Sequence, residues 1–288
     1  MNEIPVLAVI GGSGLYNFED LKDVKTLDLD TPFGKPSSPI TVGKLLGKPV
    51  AFLARHGIGH IYPPSEVPYR ANIFALKTLG VKRIISVSAC GSLRESYAPG
   101  HIVIPHQIYD FTHKRERSFF EKGLVAHVSV ADPFCEDLSD ILEKSLKDTD
   151  ATYHRGATYI TIEGPRFSTK GESNLYRQWG MDIIGMTASP EVFLAREAEM
   201  CYSTMAHVTD YDVWHITEEP VTVEMVIMTL LENVSIAQET IKKMVNLIDP
   251  TVKCGCEDGL NNAIITNPEQ IDPGMREQLS PLVKKYLG

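Results

Sequence analysis

The residues best suited to chemistry are Asp210 and Asp212, in the segment Thr209-Asp210-Tyr211-Asp212 that follows the apolar run 200–208. If that run is a strand, alternation points both carboxylates to one face, where their repulsion favours a proton on one of them at neutral pH, as a general acid requires. A solvated Asp-rich turn is the alternative for this motif taken alone. Four other segments offer anion donors. The run 6–10 enters Gly11-Gly12-Ser13-Gly14, whose backbone N–H groups could converge as an anion nest, with the Ser13 hydroxyl beside them. A tight structural turn is the other reading there. The strand 50–54 delivers Arg55-His56, a pair suited to a tetrahedral oxyanion with the guanidinium forking two oxygens. The strand 84–87 enters Ser88-Ala89, and Thr187 precedes a helix-start signal, Ser189 as N-cap, Pro190 at the first position and Glu191 in the first turn. An anion near Thr187 would meet the positive end of that helix. His56 and His60 have the spacing of a helical zinc pair, but Gly57, Gly59, Pro63 and Pro64 argue against a helix there.

These groups need strands to deliver them. Short apolar runs at 6–10, 40–42, 50–54, 84–87, 101–105, 159–162 and 200–208 alternate with helical patterns at 69–79, 138–146, 170–179, 189–199 and 223–247, which predicts an α/β domain with its site at the C-terminal ends of the strands. The charged segment 112–122 has the composition of a mobile loop. The division expected is a catalytic domain over 1–250 and a tail over 251–288 with a short helix at 275–287, packed on the same domain or on a neighbouring subunit.

The chain has 288 residues, 43% of them hydrophobic, enough to bury one large core. A net charge of -9 argues against nucleic acid or an anionic membrane as partner. The N-terminus has no basic region and only a short apolar run, so a cytoplasmic protein is expected. Five cysteines at irregular spacing do not form a secreted framework. Cys90, Cys135 and Cys201 read as core thiols. Cys254-Gly255-Cys256 reads as free thiols or a small disulfide ring, and no second pair at zinc spacing accompanies it.

Taken in order, Val9-Ile10-Gly11-Gly12-Ser13-Gly14-Leu15, Asp30-Thr31-Pro32-Phe33-Gly34-Lys35-Pro36-Ser37, Leu53-Ala54-Arg55-His56-Gly57, Ala89-Cys90-Gly91-Ser92-Leu93-Arg94, Thr161-Ile162-Glu163-Gly164-Pro165-Arg166-Phe167-Ser168, Met186-Thr187 with Pro190-Glu191, and Thr209-Asp210-Tyr211-Asp212 resemble the signature segments of 5'-methylthioadenosine phosphorylases. These enzymes form part of the trimeric branch of the purine nucleoside phosphorylase superfamily. The resemblance implies a single domain with a central mixed β-sheet flanked by helices, in a homotrimer or homohexamer. The implied reaction is phosphorolysis of methylthioadenosine to adenine and 5-methylthioribose 1-phosphate, a step of methionine and purine salvage. Phosphate would be the co-substrate, with no cofactor and no metal. Matched residue by residue, it assigns phosphate to Ser13, Arg55, His56, Ser88, Ala89 and Thr187. Met186 and Phe167 would pack on ribose and purine, and Asp210 and Asp212 would meet N7 and the 6-amino group. Val223, Val226 and His127 would line the methylthio pocket, which a neighbouring subunit's C-terminal region closes. Gly185 stands where the family commonly has asparagine, Ala188-Ser189 replaces a Thr-Val pair, and Ser13 and Ser88 replace threonines. The Cys-x-Cys pair resembles that of some thermophilic members, which adds weight to the disulfide reading and leaves free thiols as the other. Alternatives on the same fold are a phosphorylase for 6-oxopurine nucleosides or methylthioinosine, a hydrolytic nucleosidase and a non-catalytic nucleoside sensor.

Overall fold

Strand β1 (Leu7–Gly11) is buried along its whole length and lies at the centre of a nine-stranded mixed sheet. Its residues alternate between two cores: Ala8 and Ile10 pack on one face, Leu7 and Val9 on the other. A strand covered on both faces is a continuous apolar run, which is what the sequence displays here. The computed structural model describes residues 3–12, 15, 18, 20–215 and 222–288. Ser13 and Gly14 therefore lie outside the described residues.

Strand β1 is flanked in parallel by β4 (Lys48–Ala54) and β5 (Arg83–Ser92), and β9 (Cys201–Asp210) lies parallel to β5 on its far side. The hairpin partner of β4 is β3 (Ile40–Leu45), and β2 (Lys22–Leu27) adds an edge. Strand β9 also pairs with β6 (Ile102–Phe111), which runs beside β7 (Tyr153–Ile162), then β8 (Ile183–Gly185), then β5 again. Strands β5, β8, β7, β6 and β9 thus close into a ring, and all ten residues of β9 are buried.

One face of the sheet is covered by α1 (Tyr69–Thr78), α4 (Ala188–Glu197) and the C-terminal helix α7 (Ser280–Leu287), the other by α2 (Glu136–Lys147) and α5 (Val223–Leu247). Helix α3 (Lys170–Gln178) starts with a capping box of Thr169 and Glu172, and α6 (Pro273–Gln278) starts from the Asp272 cap. Within residues 251–288, Leu260, Ala263, Ile271, Leu279, Leu282 and Val283 belong to the core that contains Phe74 and Leu194.

Several expectations change. Strand β2 was not anticipated, because its LysAspValLysThrLeu sequence is exposed and charged, as protected edge strands are. Strand β5 continues through Ser88–Ser92 instead of ending before it, and β6 and β7 are also longer. The segment 112–122 is no free loop: Arg115, Phe119 and Phe120 are buried, and Arg115 donates to the carbonyls of Met186 and Ser189 (2.6 Å each) and of Glu163 (2.8 Å). Composition misleads there because the charge of Arg115 is met inside the fold by backbone oxygens and by the Glu163 carboxylate at 3.2 Å. All five cysteines are free, so of the two readings left open for Cys254 and Cys256 the structure has the free thiols.

Candidate active site

Because β1, β4, β5 and β9 are mutually parallel, their C-terminal ends open at one edge of the sheet. There a cavity of about 600 Å³ is lined by Arg55, His56, Ser88, Ala89, Phe167, Met186, Thr187, Asp210, Asp212, Val223 and Val226. Eleven of the thirteen residues singled out from the sequence thus meet in one place, and of the other two Ser13 is not described. His127 is the exception. It is exposed and outside this chain's cavity, because its segment is pinned to the tail by His127 N–H to Ala263 O at 2.9 Å and the bridge between Ala126 and Ile264.

Asp210 ends β9, next to a bulge at Cys90/Gly91 that re-aims the paired strand. A Cβ on Gly91 would sit 2.9 Å from Asp210 Oδ1, so only glycine leaves room for the carboxylate. The carboxylate is 5% exposed and accepts from Thr209 Oγ1 (2.6 Å) and the Asp212 N–H (2.7 Å). Burial pushes its pKa up to about 6 against the opposing pull of those two donors, and repulsion from Asp212 is the smallest contribution. Desolvation, not the like charge expected from the Asp210/Asp212 pair, is therefore what perturbs this carboxyl. Nor do the two share a face by strand alternation, since Asp212 lies past the strand end in a left-handed turn (φ 52°). Its carboxyl is also raised by burial, against the pull of the neighbouring Ser173 and Ser168 hydroxyls, and no hydrogen bond of full geometry reaches its Oδ2.

The Arg55 guanidinium is 2% exposed, and its fork is already engaged. Nε and Nη2 donate to Glu191 at 2.8 Å each, Nη2 reaches Ser86 Oγ at 2.6 Å, and Nη1 has only Val87 O at 3.3 Å. Glu191 is fully buried and also accepts from Tyr202 Oη at 2.7 Å. It is thus the counter-ion of Arg55 more than a first-turn helix residue, and it holds the guanidinium charged against burial. Ser189 is extended (ψ 136°), as the residue before a proline tends to be, and its hydroxyl caps nothing. Thr187 takes the N-cap position of α4 and is buried in the cavity wall.

His56 donates from Nδ1 to the Tyr62 carbonyl at 2.9 Å, since a carbonyl can only accept; burial, Arg55 and His60 lower its pKa to about 4. It is neutral at pH 7, with Nε2 an unprotonated acceptor. The His60 ring stacks on it at 4.2 Å in a turn, as the glycines and prolines predicted in place of a helix. Ser88 Oγ is buried in the cavity wall with no partner.

Three lining or supporting features were not anticipated. His207, in the middle of β9, lines the cavity with neither ring nitrogen paired, and burial lowers its pKa to about 4. Asn233 of α5 also lines it, with Nδ2 unpaired. Both are hidden in apolar runs that read as core. At Gly185 an added Cβ would fall 2.0 Å from Tyr159 Oη, so the tyrosine hydroxyl occupies the space a side chain at 185 would take.

Residues 6–246 match the sequence profile of the Phosphorylase superfamily. The chain is 51% identical to S-methyl-5'-thioadenosine phosphorylase of Chloroflexus aurantiacus, over 97% of this chain and 98% of that one. It is 50% identical to the enzyme of the same name from Geobacter sulfurreducens, over 98% and 99%. The crystal structure of a methylthioadenosine phosphorylase from an Antarctic soil metagenomic library superposes with a TM-score of 0.93 at 47% identity, covering 98% of this chain and 99% of that one. Methylthioadenosine phosphorylase from Schistosoma mansoni, solved in complex with adenine, superposes with a TM-score of 0.79 at 38% identity, over 84% and 91%.

Proposed function

This chain belongs to the phosphorylase superfamily, and from that premise we propose that it is a pentosyltransferase that cleaves 5'-methylthioadenosine with inorganic phosphate to adenine and 5-methylthioribose 1-phosphate. The observation that carries the reading is one cavity holding a buried carboxyl of raised pKa together with a buried arginine, a neutral histidine and an unpaired serine hydroxyl. Relatives of that name match it along nearly its whole length.

Cleavage of the glycosidic bond leaves positive charge on the ribose and negative charge on the departing purine. Asp210 drains the second by giving its proton to N7, and the free Oδ2 of Asp212 accepts from the 6-amino group. Phosphate is met by Arg55, the Ser88 and Thr187 hydroxyls, the Ala89 backbone and the N-terminus of α4; the resemblance adds Ser13, which lies outside the described residues. Since His56 Nε2 is an acceptor, it takes a hydrogen bond from a protonated phosphate oxygen. The phosphate stabilises the ribosyl cation and then attacks C1'. Met186 and Phe167 pack on the nucleoside, with Arg115 holding the segments that carry them, and Val223 and Val226 line the 5' end.

The reaction requires phosphate as co-substrate and no organic or metal cofactor. A homotrimer or homohexamer fits the exposed apolar residues Val223 and Ile227 of the cavity wall and Ile58 and Ile61 of the turn that follows Arg55-His56. In such an assembly the exposed His127 is free to reach a neighbour's pocket. Among the described residues no helix is long and apolar enough to cross a membrane, and five free thiols fit the cytoplasm.

The test is base release from methylthioadenosine, adenosine and methylthioinosine with and without phosphate. Phosphate-dependent turnover fastest with methylthioadenosine is expected. Faster turnover of the oxo substrate would reassign the carboxyl pair, turnover without phosphate would make the protein a hydrolase, and binding without turnover would make it a sensor.

A further inference from the structure

Four of the five cysteines converge at the end of the molecule remote from the cavity. Cys135 caps α2, Cys201 is the first residue of β9, and Cys254 and Cys256 bracket Gly255 beyond α5. Their Sγ atoms all lie within 4.8 Å of one another, with Cys135 and Cys254 at 3.5 Å, and none is bonded to another. Among the described residues this is the one grouping of possible metal ligands. Sulfurs bound tetrahedrally to zinc at about 2.3 Å stand about 3.8 Å apart, a separation that falls between the 3.5 Å of Cys135 and Cys254 and the 4.8 Å that bounds the whole group. We propose that Cys135, Cys201, Cys254 and Cys256 form a structural tetrathiolate site for one divalent zinc ion.

The surroundings suit that ion. Cys135, Cys201 and Cys256 are 4%, 2% and 5% exposed among apolar residues that include Leu138, Met205 and Ile248, while Cys254 is half-buried and gives a route from solvent. Soft thiolates select zinc over magnesium or calcium. Four thiolates around Zn²⁺ carry a net double negative charge, and the Arg196 guanidinium donates to Cys256 Sγ at 3.0 Å. Backbone N–H groups of Leu138 and Cys256 point at Cys135 Sγ (3.4 Å) and Cys254 Sγ (3.5 Å), the N–H···S pattern that orients thiolate ligands. Binding transfers the thiol protons to solvent, so nothing is oxidised or reduced. With all four positions filled by protein the metal has no catalytic vacancy. It also sits at the opposite end of β9 from Asp210, about 30 Å away along the strand. Its effect is to fasten the segment after α5, and the tail that follows, to the starts of α2 and β9. Spacing along the chain hides this site, because Cys135 and Cys254 are 119 positions apart.

The full chain, expressed with zinc in the medium and purified without chelators or metal-affinity resin, is expected to carry about one zinc per chain, released by a mercurial thiol reagent. Exchange with Co²⁺ should give the intense visible bands of a tetrahedral tetrathiolate. Cys201→Ser and Cys256→Ser should lose stoichiometric zinc, whereas Cys90→Ser keeps it. Stripping the metal should lower the Tm by roughly 5–10 °C, and added Zn²⁺ should restore it. A reduced protein that takes up neither Zn²⁺ nor Co²⁺ would overturn the proposal. So would zinc retained by the Cys201 and Cys256 variants. Thiol counts on the denatured, unreduced chain are also decisive, since five free thiols are expected after metal removal, whereas a count of one would mean that the four are paired as disulfides. Where the serine variants do not fold, zinc content and the cobalt spectrum of the unaltered chain decide.

Discussion

Replacing Asp210 by asparagine separates what the carboxyl does for chemistry from what it costs the fold. Burial holds its pKa at about 6 in the folded chain against 3.8 as an ordinary side chain. Between those values the folded chain keeps a proton that the unfolded chain has released, so stability falls as pH rises through that window and is level above it. The shift corresponds to about 3 kcal/mol. Asp210→Asn should therefore be more stable than the parent in urea unfolding at pH 8, by up to about 3 kcal/mol, with the advantage gone near pH 3. The same variant should lose about 10²- to 10⁴-fold in kcat on methylthioadenosine. In the parent, kcat/KM at saturating phosphate should decline as pH rises above about 6, where the free carboxyl loses its proton; a profile unchanged by the substitution would remove Asp210 as the acid. Glu191 offers a second separation. In phosphate-free buffer Glu191→Gln leaves a buried guanidinium without its counter-ion, a loss of about 3–5 kcal/mol. Bound phosphate supplies the missing charge, so the rise in Tm on adding phosphate should be larger in the variant than in the parent. An equal rise would mean that Arg55 does not reach the phosphate.

At the scale of elements, the packing of β7 against β8 turns on one missing atom. Gly185→Ala would place a methyl 2.0 Å from Tyr159 Oη, forcing the ring to shift, at about 1–3 kcal/mol. Tyr159→Phe removes the obstructing hydroxyl, so the double variant should recover part of that loss, a coupling that urea unfolding of all four chains measures. Elements were legible in the sequence where burial writes a period into it. The apolar run of β1, the helical pattern at 170–179 and the glycine and proline breaks around His56 all correspond to what formed. Strand β2 has no buried side to reveal it, and β5 runs on through small and hydroxyl residues whose packing depends on β9 and β8, which are distant in sequence. The site was legible to the extent that its groups follow strand ends. Its supporting residues were not: Glu191 carried a helix-start signature, Arg115 lay in a charged segment, and His207 and Asn233 were submerged in apolar runs. Each acquires its role only when a remote segment arrives beside it.

On the scale of the whole molecule, burial of the tail's apolar residues predicts that residues 251–288 contribute to the stability of the fold. Leu282 and Val283 of α7 are buried against α1, and Leu260, Ala263 and Ile271 extend the same core. Cys256 joins the core on the opposite face, so the tail grips both sides of the sheet. Removing residues 250–288 would strip both cores of buried side chains worth about 1.5–3 kcal/mol for each large one, a total comparable with the 5–15 kcal/mol by which domains are usually stable. A chain ending at Asp249 should therefore be insoluble or unfolded, even though it contains every residue placed in the cavity. A milder test keeps the chain intact. Leu282→Ala creates a void next to α1, nowhere near the cavity lining, and should cost about 2–5 kcal/mol in urea unfolding. Its kcat on methylthioadenosine at 25 °C should stay within about twofold of the parent, because the parallel strands that hold the site remain folded. Solubility and a cooperative unfolding transition in the truncated chain would show that the strands fold without the tail, and would return residues 251–288 to the status of a separate segment.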